Sequence, residues 1–172
     1  MTEVHISDQL VRFDHDATVS VYSQISQGEA DCCPCSGCRN FRLLRNTAYP
    51  DTFRAVLSTL GIDPNKECEA VHYGPKAGRH FYGGGFHFVG ELVETGERLV
   101  QLDNEFQYFV RRSSGRPPAV FGQTVAAVEF TVLLPWVLKG PYDPEADAQI
   151  VKAEEIMKRY PNALRALANS DR

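Results

Sequence analysis

The chain has 172 residues, 43% of them hydrophobic and 23% charged, a composition that suits a folded globular protein with its own hydrophobic core. A net charge of −4 excludes the global basic field that recruits nucleic acid or an anionic membrane surface. The strongest apolar stretch, Phe130 to Leu138, is interrupted by Thr131 and Pro135 and falls far short of the ~20 residues a membrane helix needs.

The first residues, Met1 to Asp8, carry early acids and no apolar core, which argues against a secretory leader. From Ala17 to Gln27, Val19, Val21 and Ile25 alternate with Thr18, Ser20, Tyr22 and Gln24, a period of two that predicts a half-buried strand. The cysteine run 32–38 follows as a loop, and Arg39 to Asn46 predicts a short helix with Phe41 and Leu44 turned inward. On that helix Arg39, Arg42 and Arg45 fall three apart, the pattern of a solvated basic face.

Asp51 to Leu60 predicts the clearest helix. Phe53, Val56, Leu57 and Leu60 fall at i, i+3, i+4 and i+7, Asp51 can cap the start, and Gly61 can close the end. Strands are then expected over Glu67–Tyr73, Phe86–Val93, Phe106–Arg111 and Val125–Val137. In the last, Val128, Phe130, Val132, Leu134 and Trp136 share one face while Glu129 and Thr131 take the other. Gly83-Gly84-Gly85 precedes a strand rather than a helix, so it reads as a turn or bulge and not as a phosphate cradle. The basic segment Arg111 to Pro118 reads as a surface loop.

Beyond the turn-rich Lys139 to Pro144, a stripe of Ile150, Ala153, Met157 and Tyr160 predicts a helix. Pro161 ends it, and Leu164 and Leu167 suggest one more short helix. Consecutive strands favour an α+β fold. It consists of a mostly antiparallel sheet, a covering helix after the cysteine loop and a C-terminal helical extension. A single domain over 1–172 is expected, with the α+β core in 1–138 and the terminal helices in 145–169.

The chemistry concentrates in Cys32-Cys33-Pro34-Cys35-Ser36-Gly37-Cys38, which holds four of the five cysteines. An odd total of five, with four so close in sequence, makes a poor disulfide framework and points to reduced thiols in a cytoplasmic setting. Thiols this dense in one turn suit a soft metal ion, zinc first among them. Cys33, Cys35 and Cys38 are one set of ligands and Cys32, Cys35 and Cys38 the other; adjacent Cys32 and Cys33 project differently, so one of them is a bystander. In both sets Cys35-Ser36-Gly37-Cys38 forms the knuckle, with Gly37 free to take a positive φ. Three thiolates leave a tetrahedral ion one ligand short. Cys68, His72, His80, His87 or water can supply the fourth, and His87 is preferred because alternation sets it opposite Phe86 and Phe88.

Cys33-Pro34-Cys35-Ser36-Gly37-Cys38-Arg39-Asn40-Phe41, Leu60-Gly61-Ile62-Asp63, Phe86-His87-Phe88-Val89-Gly90 and Leu134-Pro135-Trp136-Val137-Leu138 together resemble a family of small uncharacterised bacterial proteins. That resemblance implies the Cys33, Cys35 and Cys38 set, leaves Cys32 outside it, and carries no activity. Three functions follow as expectations. The first is a structural zinc site. The second is an enzyme, hydrolytic or redox, that uses the same loop through a metal-bound water or a free thiol. The third is an interaction module, whose mark would be exposed aromatics at Tyr82, Phe106 or Tyr108, or the loop from Arg111 to Arg116. Exposed edge strands would also allow a homodimer.

Overall fold

A computed structural model describes residues 1–93, 99–113, 119–122 and 124–159. Among them, seven antiparallel strands form one sheet, with four α-helices gathered between the second and third strands and one after the last, so the fold is α+β as expected. β1 (Thr2–Ile6) and β2 (Gln9–Phe13) make an opening hairpin through Ser7, whose φ is 53°. α1 (His15–Gln24), α2 (Glu29–Cys32), α3 (Ser36–Ala48) and α4 (Asp51–Thr59) follow. Then come β3 (Glu69–Lys76), the long β4 (Arg79–Leu92), β5 (Val100–Gln101), β6 (Phe106–Arg112), β7 (Val125–Leu134) and α5 (Pro144–Arg159). The order across the sheet is β1-β2-β4-β7-β6-β5, with β3 paired to the first half of β4.

The segment expected as a strand over 17–27 is instead mostly α1. Asp14 accepts from the Ala17 amide at 2.9 Å, and Thr18, Val21 and Tyr22 are buried at helical spacing. The N-cap and the tertiary burial override the short alternation. The glycine triplet, expected as a turn or bulge, lies inside β4 between β3 and β7. A side chain at Gly84 would place its Cβ 2.4 Å from the Glu69 carbonyl, so glycine there permits a close strand approach. β7 ends at Leu134, because Pro135 cannot extend the ladder, and Trp136 lies beyond it. α4 starts without a side-chain cap, since its N-cap is Pro50 rather than Asp51. Tyr160, the end of the expected stripe, and the expected last short helix with Leu164 and Leu167 lie outside the described residues.

The core forms where α3 and α4 cover one sheet face. Phe41, Tyr49, Phe53 and Leu57 from the helical side meet Tyr82, Phe86, Phe106, Tyr108 and Phe130. Phe130 lies near the centre, with ring centroids 5.1 Å from Tyr49 and 6.0 Å from Phe106. Tyr82, Phe106 and Tyr108 are therefore core residues and not the exposed aromatics that an interaction face would present. The basic stripe is corrected at Arg42 and Arg45, while Arg39 is exposed as expected. Arg45 is buried against Glu67 and Asp31, and Arg42 donates to the Ala30 carbonyl at 3.0 Å, so these arginines fasten α3 to α2. Among the described residues no helix is long and apolar enough to cross a membrane.

Candidate metal centre

The cysteine run is not a loose loop. It spans the end of α2 and the first turn of α3, with Cys35 as the α3 N-cap and Cys38 inside the helix. The Cys35 Sγ accepts from the Cys38 amide at 3.4 Å and lies 3.2 Å from the Cys33 Sγ. The ligand atoms of Cys33, Cys35 and Cys38 all fall within 4.8 Å of one another, and among the described residues no other group of metal-ligating side chains gathers this tightly. Thiolates bound at ~2.3 Å to a tetrahedral ion stand roughly 3.8 Å apart, so the trio fits a metal with small adjustments.

Cys32, the remaining thiol of the run, is exposed; its Sγ accepts from Gln27 Nε2 at 3.0 Å and lies outside the trio. It is the one thiol of the run left out of the trio. Helical geometry decides this, because residues 35 and 38 share one face of α3 while α2 carries Cys32 away.

Neighbouring groups distinguish the three thiols. The Cys38 thiol and amide both donate to Cys35, which holds the Cys35 thiol down to about 6 against the opposing effects of burial and, more weakly, the charge of Asp147. Cys38 is pushed far up by giving that hydrogen bond and by burial, and Cys33 rises mainly through burial. In the metal-free protein Cys35 is thus the first of the three to ionise.

Asp147 on α5 closes the same helix end. Its carboxylate accepts from the Ser36 amide and hydroxyl, both at 2.8 Å, and from the Gly37 amide at 3.4 Å. Gly37 does not have a positive φ as the tight-turn reading expected. It lies in α3, and its missing side chain admits His72, because a Cβ there would stand 2.7 Å from both the His72 Cβ and Nδ1. His72 Nε2 shares a hydrogen bond with His80 Nδ1 at 2.9 Å, and the His72 ring stacks on Tyr82 at 4.6 Å and near Trp136 and Tyr142. Burial and the neighbouring His80 lower His72 to about 4, leaving it neutral at physiological pH.

The sheet also joins distant parts of the sequence at this point. Tyr82 donates to the Gly37 carbonyl and accepts from Asn40 Nδ2. Asn40 in turn donates to the Pro135 carbonyl at 3.0 Å and accepts from the Val137 amide at 2.8 Å. The cysteine helix and the chain after β7 are therefore tied by one buried amide.

His87, the preferred fourth ligand, is not at the trio. It pairs with Ala127 and points to the sheet face opposite Phe86 and Phe88, whereas α3 packs on the phenylalanine side. His87 Nε2 instead meets Ser113 Oγ at 3.3 Å, above a hollow of about 400 Å³ that Cys68, Arg111 and Glu129 also line. Cys68 is likewise elsewhere, donating to the Gly85 carbonyl at 3.0 Å, and burial pushes it up to about 12. Strand parity was the available signal. His80 shares its parity with Tyr82, Phe86 and Phe88, and His87 does not. Asp147, which the sequence reading missed, had no such signal, because it meets α3 only through the position of α5.

The trio opens on a cleft of about 670 Å³ between β3 and α5, lined by Ala70, Val71, His72, Tyr142, Val151 and Lys152 among others. Every cysteine and histidine of the chain lies among the described residues, and none adds a fourth ligand to the trio within the same 4.8 Å. Set against known protein families, curated proteins and solved structures, the chain finds no match.

Proposed function

We propose that Cys33, Cys35 and Cys38 bind one zinc ion, which locks the turn between α2 and α3 and presents its fourth coordination position to the cleft. The convergence of three thiols within 4.8 Å, with no ligand atom of a fourth cysteine or histidine inside that distance, carries this reading. Soft thiolates select zinc over harder ions of the same charge. The same ligand set supports both a structural and a reactive role. The ion stabilises the local turn, and a coordination position free of protein ligands can take a small molecule or water.

Elemental analysis of freshly purified protein tests the proposal. One zinc per chain is expected, with that metal lost in Cys35→Ser and a lower melting temperature after chelation. Wild-type protein without stoichiometric metal would sink it.

A thiol redox site is the second reading, favoured by the 3.2 Å contact of Cys33 and Cys35 and by the acidic Cys35 thiol. It requires a reversible Cys33–Cys35 disulfide in metal-free protein, which intact mass under defined thiol–disulfide buffers would reveal.

A further inference from the structure

The chemistry of the cleft indicates what can occupy the fourth position. Resting on the zinc reading above, we propose that the cleft binds a low-molecular-weight thiol with a short apolar body, whose sulfur coordinates the ion beside Cys33, Cys35 and Cys38.

Three observations point to a thiol and away from an oxyanion. First, the amides at the start of α3, the natural anchor for a carboxylate or phosphate, are already taken. Both the Ser36 and Gly37 amides donate to Asp147. An incoming oxyanion would meet that carboxylate instead of free donors. Second, the walls between the trio and solvent are formed largely by Ala70, Val71, Ala148 and Val151, and Val151 remains 36% exposed. Such walls suit an alkyl or aryl group better than a strongly hydrated head group. Third, three thiolates around a divalent ion leave a net charge of −1, which disfavours a hard dianion. A thiolate is soft, singly charged and compatible with the ligands already present. Lys152 lines the cleft together with the carboxylates of Asp147 and Glu155, a balance that favours a singly charged ligand over a dianion.

The binding step balances simply. The thiol S–H bond breaks, a sulfur–metal bond forms, the proton passes to solvent, and any water at that position leaves. No oxidant or reductant is needed.

Cobalt(II) in place of zinc makes the step visible, because each sulfur bound to cobalt adds charge-transfer absorption in the near ultraviolet. Cobalt-loaded full-length protein is titrated with 2-phenylethanethiol, and with acetate, phosphate and 2-phenylethanol as controls. Saturable growth of the charge-transfer band is expected with the thiol alone, with one cobalt per chain retained after desalting. Val151→Asp should weaken the thiol by about tenfold or more while leaving the cobalt content unchanged. A stoichiometric cobalt site whose spectrum ignores the thiol, or answers acetate or phosphate equally, overturns this proposal and leaves the zinc reading standing. Equal thiol affinity in Val151→Asp would overturn the assignment to this cleft. Failure to take up cobalt or zinc at all overturns both.

Discussion

Asp147 on α5 holds both polar groups of Ser36 on α3, amide and hydroxyl, at the same 2.8 Å. Residues 111 positions apart thereby close the helix end that carries the cysteine trio. The carboxylate satisfies amides that would otherwise lack partners and complements the positive end of the helix dipole.

Replacing Asp147 by Ala should lower stability by about 1 kcal/mol, the usual value of a lost helix cap. The loss also frees α5 from α3. Urea unfolding followed by circular dichroism measures the first effect, and faster amide exchange over 144–159 reports the second. An unchanged midpoint and unchanged exchange would remove Asp147 from this role.

Gly37→Ala separates helix propensity from packing. In an open helix the change stabilises by roughly 0.5–1 kcal/mol. Here the new methyl would stand 2.7 Å from the His72 ring and Cβ, so the neighbour must move. Overpacking costs about 1–3 kcal/mol and decides the sign, so the variant is expected to be less stable. Its metal affinity should fall as well, because the displaced helix start carries Cys35 and Cys38. A variant as stable as the wild type would refute the close approach of His72.

Cys35 should react first in metal-free, reduced protein. Its thiol is held down to about 6 by the donors from Cys38, while burial holds Cys68 up near 12. Pulsed alkylation with iodoacetamide, read by peptide mass, should give a Cys35 rate half-maximal near pH 6 and almost no reaction at Cys68. Zinc should protect Cys35. A Cys35 rate that still climbs past the ordinary thiol value of about 8.5 would contradict the proposed hydrogen bonding.

Glu67 tests the buried clamp that seats α2 beside the cysteines. Its side chain is fully enclosed; Oε1 accepts from Arg45 at 2.8 Å and from the Ala30 amide at 3.1 Å. Burial raises its carboxyl above the ordinary 4.5, with Arg45 opposing the shift. The folded protein thus holds this proton more tightly than the unfolded chain. The group's stabilising contribution is full below pH 4.5 and lost as pH rises through the folded value. Glu67→Gln, which keeps an acceptor for Ala30, should flatten the stability profile above pH 4.5. Parallel profiles for the two proteins would count against a raised carboxyl.

Local patterns in the chain were enough for the α+β class, for α4 and for the alternation of β7, because each depends on residues that are neighbours in sequence. Phe53 and Leu57 are buried at helical spacing, and Val128, Phe130, Val132 and Leu134 at strand spacing. The segment 17–27 misled because Thr18, Val21 and Tyr22 fit a helix and a strand nearly equally over so few residues. Only the Asp14 cap and the packing of α1 against β4 chose between them. Arg45 looked solvated because its partners, Asp31 and Glu67, come from other parts of the chain.

The candidate metal centre divides along the same line. Spacing alone brought Cys35 and Cys38 together with one of Cys32 and Cys33, since a turn leading into a helix brings such near neighbours within reach of one ion, and the structure gathers Cys33 with them. Everything beyond the trio depended on which sheet face meets α3. Phenylalanine burial turned His72 and His80 toward the cysteine helix and His87 away from it, and α5 brought Asp147 across. Ligand spacing is a local property of the backbone, whereas the surroundings of the ligands are set by long-range packing that no short stretch of sequence contains.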